Sequence, residues 1–239
     1  MNYIKDQKNL DGKIVLLRLD LNVPLKNGII TDDTRIVKIL PTLEFLIKNN
    51  SKIIIISHIG RPKGEWNDIF SMKPVCEYIN KKINKQVKLI KKNIFQLKKE
   101  QLFLNSEDQV LFLENIRFYK NEEENDMNFS KHLASLGDLF INDAFSCSHR
   151  AHASVSKITE FLPSFAGLQL ETEISALKKS RNPIIVYSLT EEAEAIANSC
   201  RDHGVNVVGF CDNEIRKSNA TFLMNLVIRD MITKQSVLD

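Results

Sequence analysis

Short runs of consecutive aliphatic residues recur along the chain, separated by stretches whose apolar residues fall three and four apart. Ile14-Val15-Leu16-Leu17, Ile53-Ile54-Ile55-Ile56, Val110-Leu111-Phe112-Leu113 and Leu139-Phe140-Ile141 are runs of the first kind. An apolar run of that length, without polar alternation, predicts a strand covered on both faces, as in a parallel sheet. Strands are expected over residues 14–19, 52–56, 87–90, 109–113 and 138–142. Between them, helical spacing predicts helices over 34–49, 72–84, 128–136 and 171–179. The first places Ile36, Ile39, Leu40, Leu43 and Leu46 on one face, with Pro41 inside it, so a kink or a late start is expected there. Gly137 follows the third helix at a natural C′ position. The fourth begins acidic and ends basic, as the helix dipole prefers.

Strand and helix in alternation define the fold class. It is α/β, a parallel sheet with helices on both faces in a Rossmann-like three-layer arrangement. After Asn182-Pro183 the pattern restarts. A strand over 184–187 leads into a capping box, Ser188-Leu189-Thr190-Glu191. A helix then runs to about residue 203 and stops at Gly204, a strand follows over 205–210, and an amphipathic helix covers 220–233. The chain is therefore read as a domain over 1–180 and a short carboxy-terminal βαβ-helix unit over 181–239.

Bulk composition narrows the function classes. Of 239 residues, 43% are apolar and 26% charged, ordinary values for a globular chain. A net charge of +3, with lysines dispersed as Lys81-Lys82, Lys91-Lys92 and Lys98-Lys99, gives no basic stripe for nucleic acid. The longest apolar runs are strand-length, far below the ~20 residues that span a bilayer. No apolar signal core follows Met1-Asn2-Tyr3-Ile4-Lys5-Asp6, so a cytoplasmic location without membrane partners is expected. Cys76, Cys147, Cys200 and Cys211 form no C-x-x-C pair and read as reduced thiols.

The chemistry gathers where strands end. Each apolar run is followed by polar and cationic residues: Arg18-Leu19-Asp20-Leu21-Asn22-Val23-Pro24, Ser57-His58-Ile59-Gly60-Arg61-Pro62, Glu114-Asn115-Ile116-Arg117-Phe118, and Asn142-Asp143-Ala144-Phe145-Ser146-Cys147-Ser148-His149-Arg150-Ala151-His152. Ligands of open α/β sheets sit beyond the carboxyl ends of the strands, so these segments suggest one shared anion site. The two histidines of H-R-A-H lack a third ligand nearby, so no metal site is expected.

In these segments, together with the arginine of Asp32-Asp33-Thr34-Arg35-Ile36, the chain resembles the amino-terminal domain of phosphoglycerate kinase. The five motifs occur in the family's order, over roughly residues 5–177. The resemblance implies a site for 3-phosphoglycerate or a similar small molecule, and phosphoryl transfer between 1,3-bisphosphoglycerate and ADP. It nominates Arg35, Arg61, Arg117 and Arg150 as forked donors to phosphate and carboxylate. His58 and His149 are implied as further donors, and Asp20 and Asn22 as acceptors for the substrate hydroxyl. Arg35 is the implied catalytic residue, beside the transferring phosphoryl group.

The family also implies Mg-ADP or Mg-ATP, but no site for it is found in this chain. The eight glycines form no G-x-G-x-x-G, and Gly204 and Gly209, at P-loop spacing, have Phe210 at the lysine position. Glu191, Glu192 and Glu194 occupy a helix start where a triphosphate would need positive charge. Asp212, after the last strand, could suit a ribose hydroxyl, though the first turn lacks the required glycines. The expectation is a chain that binds 3-phosphoglycerate without turnover on its own. Three alternatives stay open: a kinase whose nucleotide half comes from a partner chain, a non-catalytic sensor or regulatory module, and a truncated or recombined inactive product.

Overall fold

The computed structural model describes residues 2–83, 85–105, 107–148, 150–179, 184–187 and 207–211, with side chains as far as residue 176. In chain order the strands are β1 (Ile14–Leu19), β2 (Leu25–Lys26), β3 (Ile29–Ile30), β4 (Lys52–Ile56), β5 (Val87–Ile90), β6 (Val110–Leu113), β7 (Leu139–Asp143), β8 (Ser164–Ala166), β9 (Ile184–Tyr187) and β10 (Val207–Cys211). The helices are α1 (Thr34–Lys48), α2 (Lys73–Ile83), α3 (Lys120–Glu123), α4 (Met127–Ala134) and α5 (Leu168–Lys179). The chain divides into two compact units, Met1–Ser175 and Ala176–Asp239.

The first unit is built on a six-stranded sheet in the order β5-β6-β4-β1-β7-β8, and every pairing in it is parallel. The two faces of the sheet have separate cores. Val15, Leu17, Leu19, Ile53, Ile55, Phe112 and Ile141 pack under Ile36, Ile39, Leu43 and Leu46 of α1 and Val75 and Ile79 of α2. Leu16, Ile54, Ile56, Leu111, Leu113 and Phe140 face the other way, against Phe129, Leu133 and Ala134 of α4. Alternate residues of one strand thus enter opposite cores, which is why the strands read as unbroken apolar runs. The expected three-layer α/β fold is present. β9 and β10 pair in parallel as a separate two-stranded sheet. The capping box, the two tail helices and Asp212 lie outside the described residues.

Four local features differ from the sequence expectations. Helix α1 runs unbroken through Pro41, whose exposed position leaves the carbonyl four residues earlier open to water. Gly137 is not in the left-handed region, and α4 ends in Ser135 without it. A Cβ on Gly137 would lie 2.6 Å from Leu16 Cγ, so glycine serves close packing against β1 instead of a cap. Helix α5 starts three residues earlier than its charge pattern suggests. Its first turn is held by distant partners, since Leu168 N donates to Thr42 Oγ1 at 3.1 Å and Leu170 N to Asp143 Oδ1 at 2.8 Å. The short edge strand β8 and the β2–β3 hairpin were not expected. The hairpin turns at Asn27-Gly28, where both residues have positive φ.

Among the described residues no helix is long and apolar enough to cross a membrane.

Candidate functional site at the carboxyl ends of the strands

Register fixes what meets at the rim. β1 lies between β4 and β7, with Arg18 level with Ile56 on one side and Asn142 on the other. The residues just beyond these strands therefore share one edge. The Asp20 carboxylate accepts from the Arg35 guanidinium, from Ser146 Oγ and, at 3.3 Å, from Asn22 N. Asn22 Oδ1 accepts from Gly60 N at 2.9 Å. The Gly60 carbonyl accepts from Arg117 Nη1 at 3.2 Å. A continuous hydrogen-bonded line, Arg35–Asp20–Asn22–Gly60–Arg117, so ties the loops after β1, β4 and β6 to the start of α1. Gly60 is required at its centre. Its φ is +62°, and a Cβ there would collide with the Phe70 ring.

The arginines fall into different environments. Arg35 has a side chain 47% exposed, paired with the Asp20 carboxylate. Arg61 is exposed and Arg150 half-buried. Arg117 is 3% exposed and sits in the one-turn helix Ile116–Phe118. That turn is fixed by Asn115, which accepts from Arg117 N and donates to the carbonyls of Ile59 and Phe70. Arg117 Nε is buried without a hydrogen bond, 3.6 Å from Glu123 Oε1. Burial lowers the Arg117 pKa, with Arg150 adding to the effect. An incompletely satisfied buried guanidinium beside a second arginine favours an approaching anion.

Behind this rim stands a fully enclosed polar group that the sequence reading did not single out. Arg18, with no exposed surface, donates through Nε to Ser154 Oγ at 3.0 Å and through Nη1 to the Leu19 carbonyl. Its Nη2 lies 3.2 Å from His58 Nδ1. Ser154 Oγ donates onward to Glu122 Oε1 at 2.6 Å, and Ser154 N to Glu122 Oε2 at 2.9 Å. His58 is 4% exposed. Burial, reinforced by Arg18, Arg117, Arg150 and His152, pushes its pKa down to about 2. Burial likewise raises the pKa of the Glu122 carboxyl, against the pull of Arg18. Arg18 carries a sequence signal as a charge within the apolar run of β1, whereas Glu122 lies in the polar run Lys120–Asp126 and carries none.

On the other flank, Asp143 ends β7. It accepts from Thr42 Oγ1 at 2.5 Å and from Leu170 N, and burial pushes its pKa up to about 6. A cavity of about 200 Å3 opens beside it, lined by Asp20, Arg35, Lys38, Phe145, Ser146 and Gln169 among others. His149 lies outside the described residues. No cluster of metal-ligating side chains occurs among the described residues.

Cations gathered at the carboxyl edge of a doubly covered parallel sheet define an α/β protein with a cationic rim, the edge at which such sheets hold ligands. Comparison with known proteins gives the family. The phosphoglycerate kinase family model matches residues 4–185. The chain is 50% identical over 172 residues to the phosphoglycerate kinase of Wolbachia pipientis wMel, covering 72% of this chain and 43% of that protein. It is 46% identical over 173 residues to that of Dictyoglomus turgidum, with the same two shares. The solved phosphoglycerate kinase of Coxiella burnetii superposes with a TM-score of 0.69 at 33% identity, over 88% of this chain and 53% of that one. That of Pyrococcus horikoshii gives 0.67 at 27% identity, over 89% and 55%. The chain belongs to the phosphoglycerate kinase family. It spans less than half the length of the curated relatives it matches, and the match is to their amino-terminal domain.

Proposed function

We propose that this chain binds 3-phosphoglycerate in the crevice at the carboxyl ends of β1, β4, β6 and β7. The observation that carries the reading is the line Arg35–Asp20–Asn22–Gly60–Arg117, which joins motif residues from four segments on one rim. A phosphorylated three-carbon acid presents two anionic groups, and guanidinium forks suit both. In this reading Arg35, Arg61, Arg117 and Arg150 hold those groups, with His58 and His149 as further donors. Asp20 and Asn22 accept from the substrate hydroxyl, which takes the place of part of their present bonding.

Arg35 is the catalytic residue of the reading. In phosphoryl transfer between 1,3-bisphosphoglycerate and ADP, its charge would meet the transferring group. The chain of 239 residues is expected to bind without turnover on its own. Its eight glycines form no G-x-G-x-x-G, and in the sequence Glu191, Glu192 and Glu194 stand where a phosphate loop would be sought. A nucleotide site supplied by further protein would restore the reaction.

Calorimetric titration tests this directly. Binding of 3-phosphoglycerate and no heat with Mg-ADP is the expected result. At 100 times its dissociation constant the acid should stabilise the fold by about 2.7 kcal/mol. No shift of the melting temperature at millimolar ligand, with sulfate absent, would sink the binding proposal. Turnover of Mg-ATP and 3-phosphoglycerate at roughly 1–10³ per second would show that a nucleotide site is present after all.

A further inference from the structure

We propose that Arg18 is a positioning residue that holds the neutral His58 ring in a single tautomer, with its hydrogen on Nε2. The argument begins with what arginine can do. A guanidinium only donates hydrogen bonds, so the His58 Nδ1 atom 3.2 Å from Arg18 Nη2 must present its lone pair. The ring hydrogen then sits on Nε2. The same reasoning orients the rest of the group. Ser154 Oγ accepts from Arg18 Nε at 3.0 Å, so its own hydrogen goes to Glu122 Oε1 at 2.6 Å. Arg18 is anchored at a third point by the Leu19 carbonyl. None of the three residues Arg18, Ser154 and Glu122 has measurable exposure, so water does not compete for these bonds.

The charges around His58 act in the same sense. Arg18 faces it from β1, Arg117 from the turn after β6, and Arg150 and His152 from the segment after β7. All are basic groups and disfavour a second proton on the ring. The nearby carboxylate, Glu122, accepts from Ser154, which accepts from Arg18, and lies 3.8 Å from His152 Nδ1. His58 is thus a fixed neutral donor, unlike an arginine, whose charge would draw an anion from any direction. The functional meaning rests on the proposed contact of His58 with the phosphorylated acid. The tautomer does not, because it belongs to the free chain.

Long-range proton–nitrogen correlation on the imidazoles of the 15N-labelled chain reads the tautomer. The five histidines are separated by comparison with His58→Gln. The expected pattern has His58 Nδ1 unprotonated and Nε2 protonated, unchanged from pH 5 to pH 8. The Arg18→Met/Glu122→Gln double variant, which removes both buried charges together, should give mixed tautomers in a ring still kept neutral by burial and by Arg117 and Arg150. A merely structural Arg18 would alter stability and leave these resonances in place. A hydrogen on Nδ1, titration of His58 in the wild type within that range, or an unchanged pattern in the double variant would each overturn the proposal. If the double variant does not fold, the wild-type spectrum decides alone. Titrating 3-phosphoglycerate into the same sample separates the two readings. A fixed Nε2–H ring in a chain that does not bind the acid supports the positioning role and refutes the ligand assignment.

Discussion

His58 and Asp143 flank the end of the same strand, β1, and are equally hidden, yet their surroundings treat them differently. Burial drives each toward its neutral form, so the histidine pKa falls to about 2 and the aspartate pKa rises to about 6. Around His58 the neighbours add to burial, because Arg18, Arg117, Arg150 and His152 all oppose a further positive charge. Around Asp143 they resist it, because Thr42 Oγ1 and the amides of Leu170 and Gln169 donate to the carboxylate. One site is insulated from pH across the neutral range. The other titrates near its edge. Burial sets the direction at both sites, and the neighbours add to it at His58 while the hydrogen-bond donors oppose it at Asp143.

The largest expected effect tests whether the His58 side depends on ionic partners. Arg18→Met alone takes from the buried Glu122 the cation that acts on it most, and should destabilise the fold by about 3–5 kcal/mol. Adding Glu122→Gln should recover a good part of that loss in chemical denaturation. A loss below about 1 kcal/mol for the single change would mean that the group is held by packing and not by charge.

The next test uses the opposite signs of the two titrations. His58 is neutral when folded and protonates near pH 6.5 when unfolded. Its contribution is present above pH 6.5 and is lost as pH falls toward 2. Asp143 behaves in reverse. Its folded pKa lies above the unfolded value of about 3.9, so its contribution is present below pH 3.9 and is lost as pH rises through 6. Between pH 4 and 6 the two slopes, each up to about 1.4 kcal/mol per pH unit, oppose each other. Asp143→Asn should therefore gain on the wild type by about 2–3 kcal/mol between pH 3.5 and pH 7, while His58→Gln should lose ground over the same interval. Parallel pH profiles for the two variants would erase the contrast.

Arg35→Ala should give the smallest change in stability, about 0–1 kcal/mol, because the side chain is half exposed and its ion pair with Asp20 is at the rim. Given a nucleotide half, the same change should reduce turnover more than substrate affinity. Equal effects on kcat and KM would remove Arg35 from its assigned role.

Much of the frame was legible without the structure. The unbroken runs Ile14–Leu17 and Ile53–Ile56 already required a sheet buried on both faces, and the helical spacing of Ile36, Ile39, Leu43 and Leu46 required α1 to cover it. The family motifs then put Asp20, Asn22, Arg35 and Arg117 near one rim. Less visible were the features whose cause lies far away along the chain. The start of α5 depends on Thr42 and Asp143, and the glycine at 137 on the side chain of Leu16. Helix α1 carries Pro41 without a break, because a helix can hold proline where the affected carbonyl meets solvent.

By itself, the sequence determined the α/β layering, the order of the strands along the chain and the family, because these follow from apolar periodicity and from residue types at fixed spacing. Only the tertiary structure decided which rim residues touch and which charges are buried. Arg18 stands in an apolar run and Arg61 in a Gly-Arg-Pro loop, yet nothing local names the partners of either. One is enclosed with Ser154, 136 residues away, while the other stays in water. Burial and partner choice depend on register across β1, β4 and β7, and they set whether a charged group binds an anion, orients a neighbour or loses its proton.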